Sequence, residues 1–335
     1  MCDLQYCLRL IALEVLPIVT LEVAKAIKNP VPYLSGRMRP LTVVGHSARG
    51  YAELYVILSP SLPTLIFAGE FSVKDLQNRV AIVTGSSSGV GAATAQLLAS
   101  QGCHVVINYN SNADGAAKVA EACAAHGVET LICGGNVAED ADCQAMVAAA
   151  RDKWQRVDIL VNNAGTTKFV DHANLAGLSS EDFQRIYGVN VIGSYQMVRA
   201  VNEVMQEQED GGAIVNVAST AAVTGIGSCI AYAASKGAMV TMTLSLARVL
   251  GPKVRVNAVC PGFIEGEWLR EGFGEERYQA LMQSNRDAAP LGVTATAGTV
   301  AEAILHFITG PQIVTGETLL VDGGRHLNST PMTRR

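Results

Sequence analysis

The chain has 335 residues, enough for one large α/β domain with an extension or for two small domains, and enough to bury a sizeable core. Hydrophobic residues make up 49% and charged residues 16%, and a net charge of -5 excludes the basic field that gripping nucleic acid requires, so a small-molecule ligand is expected. The eight cysteines include no CxxC pair and no His/Cys cluster at zinc spacing, so free thiols in a reducing, cytoplasmic setting are expected and a metal site is not.

Composition changes near residue 70, and residues 1–71 read as an N-terminal extension. Six of the eleven prolines (Pro17, Pro30, Pro32, Pro40, Pro60, Pro63) lie there, which argues against long uninterrupted helices or central strands between about residues 30 and 63. The stretch from Leu8 to Ile27 is apolar in parts. Glu14, Glu22 and Lys25 interrupt it and Pro17 breaks it, so it falls short of the roughly 20 apolar residues of a membrane span. Asp3 stands where a secretory signal wants positive charge. A targeting arm, a partner-binding segment and a start codon placed too far upstream stay open for this extension. Val43 to Gly50 resembles the nucleophile elbow of α/β-hydrolases, with Ser47 between Gly45 and Arg49. A side chain at the second glycine position crowds that elbow, so an ordinary loop is expected.

From Asn78 onward short apolar runs alternate with helical patterns. Strands are predicted at Val80 to Val83, His104 to Tyr109, Val128 to Cys133, Val157 to Val161, Ala213 to Val217 and Val254 to Val259. Helices are predicted over Gly89 to Gln101, Asp114 to His126 and Asp140 to Trp154. Continuous β-branched runs, rather than apolar/polar alternation, mean strands buried on both faces. The expected fold is therefore a Rossmann-type doubly wound parallel sheet flanked by helices, with ligand at the carboxyl ends of the strands. That domain is expected over residues 72–328, followed by a tail over 329–335.

Between the first strand and helix lies Thr84-Gly85-Ser86-Ser87-Ser88-Gly89-Val90-Gly91. Gly85, Gly89 and Gly91 let the backbone turn tightly and approach a pyrophosphate, and the N–H groups of the new helix point at the anion. At the end of the second strand, where an acid would accept from a ribose 2′-hydroxyl, stands Tyr109, with Asn110 and Ser111 beyond it and no Asp before Asp114. A 2′-phosphate meets no repulsion there, so NADP(H) is expected over NAD(H).

Tyr232 and Lys236 are four apart at the start of an apolar helix and share one face. An ammonium beside a phenol favours phenolate, which suits an acid/base near neutral pH. Ser219, thirteen positions upstream at a strand end, offers a hydroxyl for the substrate oxygen. Cys229 and Cys260, which lie near these groups in the chain, are read as small core or pocket-wall residues.

The Thr84 to Gly91 turn, Asn162-Asn163-Ala164-Gly165, Ser219, Tyr232-x-x-x-Lys236 and Pro261-Gly262 together resemble the short-chain dehydrogenase/reductase superfamily. The glycine spacing resembles its shorter, single-domain, 3-oxoacyl-acyl-carrier-protein reductase-like branch. The resemblance covers about residues 72–324, ending at Val321-Asp322-Gly323-Gly324. It implies hydride transfer between NAD(P)(H) and a carbonyl or secondary alcohol, with Ser219 orienting substrate and Tyr232 as general acid/base. Lys236 would bind the nicotinamide ribose, and Asn190 would hold a water of the proton relay. It places Ser87 and Val90 in the phosphate turn, Asn136 and Val137 at the adenine, and Asn163, Ala164 and Gly165 beside the adenosine ribose. Pro261, Gly262 and Ile264 fall at the nicotinamide. Gly266 departs from the family pattern, which has a threonine there. A homodimer or homotetramer built on the helices after Leu178 and Tyr232 is also implied. A lid is expected over residues 263–290; its Trp268 and Phe273 suit an apolar pocket, while its charges suit a solvated helix. The alternative from another class is a catalytically silent dinucleotide-binding regulator of the same fold.

Overall fold

The computed structural model describes residues 41–47, 50–57, 64–67 and 75–327. Residues 8–27 and 329–335, on which expectations were placed above, lie outside them. The chain divides into two compact units, Met1–Val73 and Lys74–Arg335.

In the first unit β1 (Leu41–Ser47), β2 (Gly50–Ile57) and β3 (Thr64–Phe67) form an antiparallel three-stranded sheet in the order β1-β2-β3. The proline argument against a central strand is thereby corrected. Pro40 precedes β1, and Pro60 and Pro63 fall between β2 and β3, so the prolines delimit strands instead of interrupting them. Ser47 pairs with Gly50 across a hairpin. The elbow-like serine therefore lacks the strand-to-helix turn that would expose a nucleophile.

The second unit is built on a seven-stranded sheet in the order β12-β9-β8-β7-β4-β5-β6, every pairing parallel. Its strands are β4 (Val80–Val83), β5 (His104–Tyr109), β6 (Thr130–Gly134), β7 (Ile159–Asn162), β8 (Gly212–Val217), β9 (Val254–Pro261) and β12 (Thr318–Val321). The two-residue strands β10 (Ile264–Glu265) and β11 (Ala295–Thr296) pair separately. Side chains alternate between two cores. Ala81, Val83, Val105, Ile107, Ile159 and Val161 face one, and Ile82, Val106, Leu160 and Ile214 face the other. The first core is closed by helices α1 (Gly89–Ser100), α2 (Ala113–Ala124) and α9 (Ala297–Thr309). The second is closed by α3 (Asp140–Trp154), α5 (Ser194–Glu207) and α6 (Ile230–Leu250). Both faces are covered, which is why the strands read as unbroken apolar runs.

The crossing direction reverses between β4 and β7, and the crevice at their carboxyl ends is where an open α/β sheet binds ligand. At the opposite end a buried Asp158 accepts from Arg79 (3.1 Å), from Arg156 through two nitrogens (2.8 and 2.7 Å) and from the Val80 amide (2.9 Å). Among the described residues no helix is long and apolar enough to cross a membrane.

Candidate active site

The turn after β4 is shaped by what glycine alone allows. Gly85 has φ +62°, and a Cβ there would stand 2.9 Å from the Ala164 Cα. At Gly91 a Cβ would meet the Gly85 carbonyl oxygen at 2.5 Å. Gly89, at φ +55°, instead faces open space. Ser88 starts α1 without a side-chain capping bond, and no acid stands in the first turn, so the amides of that turn remain free for an anion. An open face over unsatisfied helix-start amides fits a dinucleotide pyrophosphate, with Ser87 and Val90 half-buried at its edge. Thr84 ties this turn to the one after β7. Its Oγ1 accepts from the amides of Asn163 and Ala164 (3.0 Å each), while the Asn163 side chain donates to the carbonyls of Thr84 (2.9 Å) and Gly85 (3.1 Å).

Asn108 is a hub that the pattern reading missed. Its Oδ1 accepts from Gly85 N (2.9 Å) and its Nδ2 donates to the carbonyls of Cys133 (3.2 Å) and Gly135 (3.1 Å), joining three loop ends from a buried position. An amide inside the apolar run Val105-Val106-Ile107 was the available signal, because a buried amide requires partners. Tyr109 turns across β6: a Cβ on Gly134 would touch its hydroxyl at 3.0 Å. That leaves Asn110 and Ser111 exposed at the strand end. Asn136 accepts from Ala138 N through Oδ1 (3.1 Å), and the buried Val137 takes a hydrogen bond from Gln196 at its carbonyl (2.8 Å).

The candidate reacting groups come from the end of β8 and from α6. Lys236 is buried, donates to the Val217 carbonyl (2.7 Å), and sets its Nζ 5.7 Å from the centre of the Tyr232 ring. Ser219, just past β8, presents its hydroxyl to the Tyr232 phenol. Cys229 caps α6 through its sulfur, which accepts from Tyr232 N (3.4 Å), and Cys260 is fully buried with its thiol pushed up by burial.

The electrostatics correct one expectation. Burial pushes the Tyr232 phenol up to about 12, with the Ser219 hydrogen bond opposing, and burial brings the Lys236 ammonium down to about 8. The ammonium lies over the ring face and spends its shortest hydrogen bond on Val217, so desolvation outweighs its pull on the phenolate. The shift favours the neutral phenol over phenolate. Lys236 is a buried cation with one carbonyl and the Met239 sulfur (3.4 Å) as acceptors, which leaves a donor for ribose hydroxyls.

Asn190 sits fully buried in a π-helical turn, Gly188–Gly193, between α4 (Ser180–Tyr187) and α5. Its side-chain amide is hydrogen-bonded at both ends. Nδ2 bonds the Thr166 carbonyl (3.1 Å) and the Ser235 hydroxyl (2.9 Å), and Oδ1 accepts from Thr166 N (2.8 Å). Ser235 in turn donates to the Tyr232 carbonyl (2.7 Å). A Cβ built on Gly165 would lie 3.5 Å from Asn190 Oδ1 and 3.7 Å from Lys236 Nζ, so these groups meet at the β7 turn. Neither the π-turn nor Ser235 was foreseen; a π-bulge carries no composition signature.

Beyond β9, Pro261 is buried and its carbonyl accepts from Thr220 N (2.9 Å). Gly262 N donates to the Val321 carbonyl (2.9 Å), and Ile264 pairs with Ala295. At Gly266 a side chain would meet nothing within 4 Å, so the missing threonine leaves open space. The lid consists of α7 (Glu267–Phe273) and α8 (Glu275–Ala288). Arg270 binds Glu267 (2.6 Å) and Glu275 (3.0 Å), in keeping with a solvated charge mix, while Trp268 and Phe273 pack on Phe169. His172 bonds the Gly227 carbonyl (3.1 Å) and joins two loops.

A family model described as enoyl-(acyl carrier protein) reductase matches residues 85–326. The chain is 40% identical over 248 residues to a protein of Streptomyces violaceoruber described as a candidate ketoacyl reductase of the granaticin polyketide synthase, covering 74% of this chain and 96% of that protein. It is 34% identical over 252 residues to a 3-oxoacyl-[acyl-carrier-protein] reductase of Synechocystis, covering 74% and 97%. A crystal structure of a candidate short-chain dehydrogenase/reductase from Burkholderia xenovorans superposes with TM-score 0.69 at 37% identity, covering 75% of this chain and 99% of that one. With the glycine turn, the parallel sheet and these likenesses in agreement, the chain belongs to the short-chain dehydrogenase/reductase family, in its 3-oxoacyl-acyl-carrier-protein reductase-like branch, and is an NAD(P)-dependent oxidoreductase acting on carbonyl and alcohol groups.

Proposed function

We propose that Ser219, Tyr232, Lys236 and Asn190 form the catalytic group of this oxidoreductase, and that it works with NADP(H) as its preferred cofactor. The observation that carries the first part is the convergence of the Tyr232 phenol, the Ser219 hydroxyl and the buried Lys236 ammonium at the carboxyl ends of β7, β8 and β9. When bound, the cofactor supplies or accepts hydride at its nicotinamide ring. The Ser219 hydroxyl and the Tyr232 phenol both donate to the substrate carbonyl oxygen, drawing charge toward it. Tyr232 then gives its proton to the forming alkoxide. Lys236 stabilises the phenolate left behind and holds the ribose. Asn190, with both amide N–H groups engaged, positions the Thr166 loop and, through Ser235, the first turn of α6.

Replacing Tyr232 with Phe is expected to cut turnover about 10²-fold or more, as loss of a general acid does, with cofactor affinity nearly retained. Wild-type turnover by that variant would refute the assignment. A wild-type protein that binds cofactor but turns over no carbonyl or alcohol would favour a regulator.

The cofactor preference is supported by the absence of any acid at the end of β5 and by the exposed Asn110 and Ser111 beside it. The pyrophosphate would lie along Gly85, Ser87, Gly89, Val90 and Gly91. Asn136, Val137, Asn163, Ala164 and Gly165 would line the adenosine, with Pro261, Gly262 and Ile264 at the nicotinamide. We also infer a homo-oligomer. Ile192 (52% exposed) and Tyr195 (48%) beside α4, with Leu244 (50%) and Val249 (69%) on α6, leave apolar surface uncovered on the helices after Leu178 and Tyr232. A monomer by light scattering at micromolar concentration would refute it.

A further inference from the structure

We propose that the lid selects an uncharged ketone whose carbonyl is attached to an aromatic ring, and that Trp268 is the residue that reads the ring. This rests on the assignment of Tyr232 as the proton donor to the carbonyl.

Three aromatic side chains from two segments, the loop after β7 and helix α7, form one continuous wall ending at Tyr232. Phe169, in the loop after β7, packs edge-on against Phe273 (centroids 4.7 Å, planes at 73°) and against Trp268 (6.1 Å, 64°). Trp268 in turn stands 6.3 Å from the Tyr232 ring at 54°. The wall is locked from behind, because a Cβ on Gly272 would fall 2.1 Å from the Phe169 ring; only glycine lets α7 approach so closely. Yet Trp268 remains 50% exposed. An indole fixed at its edge beside the proton donor, with half its surface uncovered, is a contact surface awaiting a partner held on the same carbonyl.

Charge narrows the partner. Arg270 is paired with Glu267 and Glu275, and Arg286 with Glu265. Arg277 lies over the Phe273 ring (5.2 Å). Lys168 and Arg185, on the Phe169 side, both reach Asp182 (2.7 and 3.9 Å). These cations of the lid and the Phe169 loop are already engaged, so a carboxylate on the Trp268 side of the substrate carbonyl finds no ready counter-charge there; the Lys236 ammonium lies over the Tyr232 ring, where the proposed mechanism gives it to the ribose. A ring, in contrast, gains edge-to-face contact with Trp268 beyond what a saturated group of equal size obtains by burial, a preference of about tenfold. A rigid ring also loses less freedom on ordering than a flexible acyl chain.

The test compares acetophenone with cyclohexyl methyl ketone, which differ in aromaticity at nearly equal size, and with acetoacetyl thioester as the flexible alternative. Wild-type enzyme is expected to prefer acetophenone about tenfold in kcat/KM. Trp268→Ala should bring the two methyl ketones toward equality, and Trp268→Phe should restore much of the preference. Binding is read independently of turnover in a Trp154→Phe background, where Trp268 is the remaining tryptophan. Trp154 lies on the other core's helix, stacked on His104, so this background leaves the wall intact. Acetophenone should quench Trp268 emission saturably in the presence of cofactor, and cyclohexyl methyl ketone should do so about tenfold less tightly. Equal kcat/KM for the two ketones in wild type, a preference that survives Trp268→Ala, an equal loss of both, or stronger turnover of the thioester would each overturn the proposal. Saturable quenching without turnover of any ketone would uphold ring recognition and overturn the catalytic assignment on which it rests.

Discussion

Replacing Lys236 by Met should make the protein less active and, at neutral pH, no less stable. The fall of its ammonium from 10.5 to about 8 on burial corresponds to about 3 kcal/mol of destabilisation while the group is charged. Met fills nearly the same volume without charge, but it leaves the Val217 carbonyl without its donor, which costs about 1–3 kcal/mol. The two nearly offset, so the net change at pH 7 is small. The pH dependence separates them. Because the folded-state value is lowered, the unfolded chain binds the proton more tightly between pH 8 and 10.5, and wild-type stability gains with rising pH through that window. The stability of wild type relative to Lys236→Met should therefore improve by about 2 kcal/mol from pH 7 to pH 9.5. Urea denaturation midpoints of both proteins, at several pH values and fixed protein concentration, measure this. A pH-independent difference would show that the ammonium is not held in the buried place described.

Introducing an acid at the end of β5 by Tyr109→Asp should repel a 2′-phosphate and raise the KM ratio of NADPH to NADH at least tenfold; an unchanged ratio would remove the β5 end from cofactor selection. Asp158→Asn should destabilise by about 1–3 kcal/mol, because it takes the buried carboxylate from Arg79 and Arg156 and leaves them the exposed Asp210 as ion-pair partner, while cofactor KM stays as in wild type. A thermal melt and a cofactor titration on the same preparation check both halves, and a melt within a degree of wild type would discount the ion cluster.

The sequence carried the sheet and its ligand end well, for identifiable reasons. The strand from His104 to Tyr109 and the helix from Asp140 to Trp154 were bounded to the residue, since β-branched runs and the acids of a first helical turn are local signals. The strand after α2 starts at Thr130, two positions later than expected, because β6 is an edge strand with one exposed side and its ends are weakly specified. Tyr232 and Lys236 share one face of α6, as their spacing suggested. What remained hidden depends on three-dimensional surroundings: the bonds of Asn108 to three loops, the π-turn around Asn190, and the upward push that burial gives the Tyr232 phenol. Its neighbour Lys236 pointed one way in one dimension, and desolvation decided the other way in three.

The lid answers its own ionic demands. Arg270 pairs with Glu267 and Glu275, Arg286 with Glu265, Gln279 with Glu275 and Gln283 with Asp287, all within one short stretch of chain. Such a segment can be grafted or drift in sequence as a cassette, because no counter-ion in the sheet is orphaned when it changes. New specificities are then reachable by swapping the cassette, while Ser219, Tyr232 and Lys236 keep their places.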